Sequence, residues 1–486
     1  MVFNSVTFLI FLAITLSVYY RLGHKGQNWL LLVASYIFYG WWDYRFAFLL
    51  LATSLLDYVF ALWIDGTTVR RKKKLFLAFS ICINMGVLCL FKYFNFFADS
   101  LAAFLASFGV NASFPLLHVI LPIGISFYTF LSMSYTIDVY RGEIPASRNP
   151  IDFLLYVSFF PHLVAGPIVR ASYLLPQCQA PRVIKSDQVV NGVWLMLLGY
   201  VKKVVIADQL GQVVQWGFSR PFPPFTDANA WLIIYAFAFQ IYGDFAGYSD
   251  IARGLAKLMG FELVENFRAP YLVTNPSAFW RHWHISLSTW LRDYLYVPLG
   301  GNRHGPARTY RNLLTTMLLG GLWHGAGAAY ILWGLYHGAL LAVHRWWTQM
   351  ADAVPKTAKI APSALSIVAR PTIFYRGFLV FLFFHITCVG WLLFRAGAIP
   401  REYSQLNLVL GYLKAMFSFQ VHGLNPIAQG IVLLGALVLF FQWKHELMDR
   451  FVTWPTRWKV AAICGALVCL ATFGIFKGSQ FIYFQF

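Results

Sequence analysis

The chain has 486 residues, 59% of them hydrophobic and 12% charged, with a mean hydropathy of +0.60. A water-soluble domain carries about twice that charged fraction, so the composition excludes a string of soluble domains and indicates a multi-pass membrane protein. In that setting the net charge of +19 reads as Lys- and Arg-rich cytoplasmic loops with affinity for anionic lipid or an anionic cosubstrate, and no nucleic-acid partner is expected.

Apolar runs long enough to cross a bilayer recur along the chain. Val2–Tyr20 has no basic residue before it and no small-residue cleavage signal after it, so it reads as a retained first span. Trp29–Trp42 is shorter and leads to Asp43–Arg45, expected outside. Phe46–Ile64 returns to Arg70, Arg71, Lys72, Lys73 and Lys74, the strongest orientation signal in the chain, read as a solvated cytoplasmic loop. Leu75–Phe97 and Leu117–Val139 go out and back to Arg141 and Arg148.

Ile151–Arg170 contains FFPHLVAGPIVR, with two prolines and a glycine. It reads either as a segment that enters and leaves on one side, lining a cavity where His162 and Arg170 meet a substrate, or as a plain kinked helix. Val189–Asp208 and Trp231–Gly247 flank the turn-rich SRPFPPFTDAN. A long basic region, Arg253 to Arg311, follows and is expected in the cytoplasm. Leu313–His344 is expected to be a broken hairpin with His324 near its bend. Ala351–Ala369 reads as a polar loop, Phe378–Phe394 as a span, and Arg395–Asn425 as an amphipathic stretch on the outer surface. Ile427–Trp443 and Val460–Phe476 close the series. No repeat or linker appears, so the expectation is one integral domain over residues 1–486. Its fold class is an all-α polytopic membrane protein of about 10–12 transmembrane helices, with re-entrant or broken segments around a central intramembrane active site.

The densest polar chemistry lies between Phe279 and Gly327. Read as one helix, Phe279–Tyr296 puts Trp280, Trp283, Leu287, Trp290, Leu291 and Tyr294 on one face and Arg281, His284, Ser288 and Arg292 on the next. An aromatic wall beside a basic, hydrogen-bonding strip suits a ligand with an apolar part and an anionic part. The same pattern also reads as a lipid-interface helix with snorkelling arginines. The second half, LLGGLWHGAG, places Trp323 and His324 among glycines. An ionisable residue at a helix break inside a membrane protein is a functional candidate, although an isolated histidine on an apolar face is more often a packed core residue.

At these residues the chain resembles a family. WHISLSTWLRDYLYVPLGG followed by GGLWHGA is similar to the membrane-bound O-acyltransferases, in the bacterial branch that acetylates exported polysaccharides such as alginate. SFFPHLVAGPIVR, GYVKKVVIAD, YGDFAGYSDIARG, FYGWWDYRF and the terminal FIYFQF agree, so the resemblance covers essentially the whole chain. One departure is His282, where the family usually has a second Arg, so no anion-binding role is carried to that position. A related branch moves D-alanine to teichoic acid, and the alginate-type motifs argue against it. The resemblance implies that His324 is the catalytic base and that His284 holds the second active-site position. It implies acetyl-coenzyme A as the donor cosubstrate, with no bound cofactor and no metal. The partners expected with it are membrane lipid and either an exported polysaccharide or a periplasmic acetyl-relay protein, at the bacterial inner membrane.

The residues themselves fit that chemistry. Acyl transfer from a thioester needs a base for the hydroxyl proton, stabilisation of an oxyanion and exclusion of water. An imidazole serves as base near neutral pH, and Arg281 and Arg292 suit phosphate, with lipid headgroups as the competing role. Trp283, Ser288 and Trp323 are expected to line the substrate path with them. H-E-x-x-H, G-x-S-x-G and phosphate-loop motifs are absent from the sequence. The six cysteines form no C-x-x-C pair and read as small buried apolar residues. Asp57, Asp138 and Asp244 fall in or near spans, where a proton relay would place them. They motivate the competing class, a transporter or channel for a polar solute, which the lack of a duplicated half weakens.

Overall fold

Every regular element among the described residues is helical, as expected of a chain that must satisfy its backbone hydrogen bonds inside lipid. The computed structural model describes residues 1–111, 114, 120–218, 228–353, 373–399, 405–418, 426–476 and 481–482. The turn-rich loop after Phe218, most of the Ala351–Ala369 loop, the start of the 117–139 span and most of the closing motif lie outside the described residues.

Six described helices are long and apolar enough to cross a membrane: Tyr44–Gly66, Arg70–Ala106, Ser186–Phe218, Ala230–Leu258, Ile373–Gly397 and Thr456–Phe473. Val6–Tyr19 and Gln429–Trp443 are apolar but shorter. The protein is an all-α, multi-pass membrane protein. Counting both shorter helices as spans gives eight among the described residues, so ten to twelve crossings would require further helices to span as well. The basic run expected as a loop is instead the first turn of the helix Arg70–Leu88, largely exposed. Asp43 caps the preceding helix by accepting from the Arg45 N–H.

The described residues cluster into two compact units. One holds Met1–Val205, Phe245–Glu265 and the chain from Phe451; the other holds Ile206–Asp244 and Asn266–Arg450. The long helix Ala228–Leu258 contributes its first half to the second unit and its remainder to the first.

In the first unit, two helices cross on glycine. A Cβ at Gly199 would stand 2.6 Å from the Gly247 carbonyl oxygen, and one at Gly254 would stand 2.5 Å from that of Gly192. Each helix thus presents a pair of glycines two turns apart, and the backbones touch. Beyond Gly199 the helix widens over Val201–Ala207, and Lys202 Nζ reaches Asp250 Oδ2 at 2.6 Å. Tyr19 and Tyr20 donate to the carbonyls of Met259 and Leu258 at 2.6 and 2.7 Å, fastening the end of the long helix. Asp57 is buried in its span, and Ser80 and Asn84 donate to its carboxyl at 2.6–3.0 Å. Those neutral donors satisfy it as an interhelical fastening.

The stretch Ile151–Arg170 is neither one helix nor a simple kink. It forms Pro150–Ser158, turns at Phe159, adds the short helix Phe160–Leu163, and runs irregularly to Ala171–Gln179. Nearly all of it is buried in protein, the condition for irregular backbone at membrane depth. Of the six cysteines, only Cys178 and Cys388 are buried; Cys82, Cys89 and Cys464 lie on outer helix faces. The expectation of small core residues fails there because a lipid-facing thiol costs no more than a packed one.

Candidate functional site

The second unit carries the site, built on a hairpin that the sequence anticipates. Pro306–His324 ends at His324, and Ala328–Ala353 returns. Glycines bring the two arms together: a Cβ at Gly321 would fall 2.2 Å from the Tyr330 carbonyl oxygen, and one at Gly334 would fall 2.3 Å from that of Met317. This closeness sets Trp333 of the returning arm against His324, with ring centroids 4.9 Å apart. Trp323 at 5.0 Å and Phe394 at 5.3 Å complete the surround, and His324 is 3% exposed.

The expected single helix over Phe279–Tyr296 is broken. Pro276–His282 stops, His284 takes a left-handed conformation at φ 43°, and Ile285–Leu291 begins anew before a wider turn over Arg292–Tyr296. The two continuous faces therefore do not exist. The cause lies upstream, at Asn266. Its carbonyl oxygen accepts from the Ile285 N–H at 3.0 Å, and its side-chain Oδ1 accepts from the Ser286 N–H and hydroxyl at 3.2 and 2.9 Å. The Arg268 N–H reaches the His282 carbonyl at 2.9 Å. These bonds satisfy the groups that the helix break releases. Ser288, expected to line the ligand, donates to the Trp283 carbonyl at 3.1 Å and closes the same break.

Asn266 also decides how His284 is protonated. Nδ1 of His284 lies 3.2 Å from Asn266 Oδ1. A backbone N–H donates to that same atom, so the atom is the amide oxygen and only accepts. Nδ1 must therefore be the N–H, and in the neutral ring Nε2 carries the lone pair. The His284 ring is fully buried and lies 6.2 Å from Trp323. Trp323 thus touches both candidate imidazoles.

The other expected residues divide. Trp283 is buried in an aromatic stack with Tyr271, Phe279 and Trp391, whose centroids lie 4.7–6.0 Å away. Arg292 is 60% exposed in its side chain and holds the Asp293 carboxylate through two contacts of 2.6 and 3.0 Å. Arg281 is exposed, and its guanidinium has no ion pair among the described residues. His162 and Arg170 belong to the first unit: His162 is buried with Nε2 3.0 Å from the Tyr156 carbonyl, and Arg170 is the residue immediately before the helix Ala171–Gln179, with no side-chain capping bond to it. Sequence reading missed Asn266, Trp333 and Phe394. Trp333 had a signal, since it sits in the same hairpin; Asn266 had none within a helix-length window.

A multi-pass helical protein with two buried imidazoles on one indole keeps its polar chemistry inside the membrane fold. Residues 81–386 match the membrane-bound O-acyltransferase family. The chain is 46% identical to a probable alginate O-acetylase of Pseudomonas putida, over 86% of this chain and 81% of that protein. It is 36% identical to a peptidoglycan O-acetyltransferase of Helicobacter pylori, over 71% of this chain and 70% of that one. A teichoic acid D-alanyltransferase of Bacillus subtilis is 28% identical, over 56% and 68%. The chain belongs to the membrane-bound O-acyltransferase family, and within it the likeness is to the polysaccharide O-acetyltransferase branch. Membership in a family of transferases decides for the enzyme over the transporter or channel.

Proposed function

We propose that the protein transfers an acetyl group from acetyl-coenzyme A on the cytoplasmic side, through the bacterial inner membrane, to a hydroxyl of an exported polysaccharide or of a periplasmic acetyl-relay protein. The similarity to polysaccharide O-acetylating enzymes supports the acceptor class. The observation that carries the mechanism is the buried pair His324 and His284, whose rings both lie against Trp323.

His324 takes the proton of the acceptor hydroxyl as its oxygen attacks the thioester carbonyl. The tetrahedral intermediate collapses, the carbon–sulfur bond breaks, and the proton passes from His324 to the leaving thiolate. His284 orients the acceptor. With Nδ1–H committed to Asn266, its Nε2 accepts a hydrogen bond from a neighbouring hydroxyl, an arrangement suited to a sugar with adjacent hydroxyls. In this tautomer Nε2 does not donate to the oxyanion. The indoles of Trp323 and Trp333 exclude water from the reacting atoms.

Purified protein in liposomes, given acetyl-coenzyme A with and without a mannuronate oligosaccharide, tests the reading. Acceptor-dependent release of free thiol and an ester on the sugar are expected. Thiol release that is the same in wild type and His324→Ala would remove His324 from the chemistry.

A further inference from the structure

A second binding feature lies in the same unit, away from the imidazole pair. The helices Pro276–His282, Ala328–Ala353 and Ile373–Gly397 enclose a cavity of about 410 Å³. Its walls are hydrocarbon: Leu340, Val343, Leu379, Leu382, Phe383 and Ile386. Val343 and Leu382 are exposed, so the cavity opens along an outer face of the helices. The flanking surface is that of a membrane protein in lipid: Phe378, Phe381 and Trp347 are all exposed beside it.

One end of the cavity is polar. Asn275 and His344 line it, and Ser277 Oγ lies 3.2 Å from His344 Nδ1. Arg281 is one turn further along the same short helix as Ser277, on the same face. The exposed Arg281 guanidinium has no ion pair among the described residues, whereas the neighbouring Arg292 is held by Asp293. A cation without an ion pair, one helical turn from the polar end of a lateral hydrocarbon cavity, complements one chemistry: an alkyl chain joined to a phosphodiester. Arg suits that headgroup through paired N–H donors.

We propose that this cavity is a binding site for an anionic glycerophospholipid, with an acyl chain between Leu340, Leu382 and Phe383 and the phosphate on Arg281. The lipid supports the site from behind. Phe383 packs on Phe279 at 6.2 Å, and Phe279 stacks on Trp283 at 5.7 Å, one residue before His284. Filling the cavity holds the short helix that ends at the break beside His284.

Lipid retention tests the proposal without relying on acyl transfer, so its failure is separable from failure of the function proposed above. The full-length protein is reconstituted with a mixture of phosphatidylglycerol and phosphatidylcholine, extracted into mild detergent and washed. Bound lipid is then counted by native mass spectrometry. Wild type should retain phosphatidylglycerol over phosphatidylcholine. Arg281→Glu should lower that retention about tenfold, the loss of one charge-assisted contact. Leu382→Trp, at an exposed position where the larger ring fills the cavity without disturbing the core, should lower retention of both lipids. Equal retention by wild type and both variants overturns the site. Arg281→Glu that keeps phosphatidylglycerol but loses acetyl-coenzyme A binding overturns it too, and assigns the cation to the donor's phosphates.

Discussion

Asn266 Oδ1 faces His284 Nδ1 at 3.2 Å and simultaneously accepts from Ser286. One side chain therefore holds a left-handed histidine in place and selects its tautomer. Asn266→Leu removes the acceptor and is expected to lower kcat about 10- to 100-fold, equivalent to about 1–3 kcal/mol for a stranded buried donor. Asn266→Asp keeps an acceptor at the same place and should retain more activity than Asn266→Leu. Steady-state kinetics on variants with matched thermal unfolding check this. Equal losses in both variants would mean that Asn266 supports only the fold.

His324→Ala is expected to reduce acyl transfer by about 10²–10⁴-fold, the range for loss of a general base. The variant should still insert and fold, because the position is bounded by glycine and packed by rings that remain. His324→Gln should not restore activity, since an amide does not accept a proton at neutral pH. Near-normal transfer by a well-folded His324→Gln protein would move the base to His284.

Arg292 holds Asp293 through Nε and Nη2, so a phosphate would compete with that carboxylate for the guanidinium. If it contacts the donor, Arg292→Gln should raise the KM for acetyl-coenzyme A with little change in kcat. Asp293→Asn, which frees the guanidinium, should lower that KM. Both changes are read from initial rates at varied donor concentration. A fall in kcat at unchanged KM for Arg292→Gln would remove it from the donor site.

The glycine crossing in the first unit should be intolerant of side chains. Gly199→Val places carbon against the Gly247 carbonyl oxygen and Ile251. It is expected to cost about 1–3 kcal/mol or more, the usual penalty for overpacking. Gly465, where a Cβ meets no atom within 4 Å, should accept alanine with no measurable loss. Thermal unfolding in detergent compares the two.

The helix Tyr44–Gly66 has 23 residues, about 35 Å at 1.5 Å per residue, enough to cross a hydrocarbon core of about 30 Å. With the basic run after it in the cytoplasm, a cysteine placed at Thr67 should react with thiol reagents only from inside. One placed at Asp43 should react from outside. Labelling of both from one side would overturn the orientation.

Much of this protein is determined by its sequence because lipid imposes simple rules. A run of apolar residues must become a helix to satisfy its own backbone, so Phe46–Ile64, Phe378–Phe394 and Ile427–Trp443 read correctly to within a few residues. The hairpin bend at His324 was legible for a related reason: glycines on both sides weaken the helix locally. What the tertiary structure alone decided is the break at His284. Periodicity over Phe279–Tyr296 supports an unbroken helix, and nothing within that window interrupts it. The interruption comes from Asn266, whose carbonyl and side-chain oxygens outcompete the helix for the N–H groups of Ile285 and Ser286. Long-range hydrogen bonds of this kind leave no periodic trace. They nonetheless determine the direction of the His284 ring, its protonated nitrogen, and the company it keeps with Trp323.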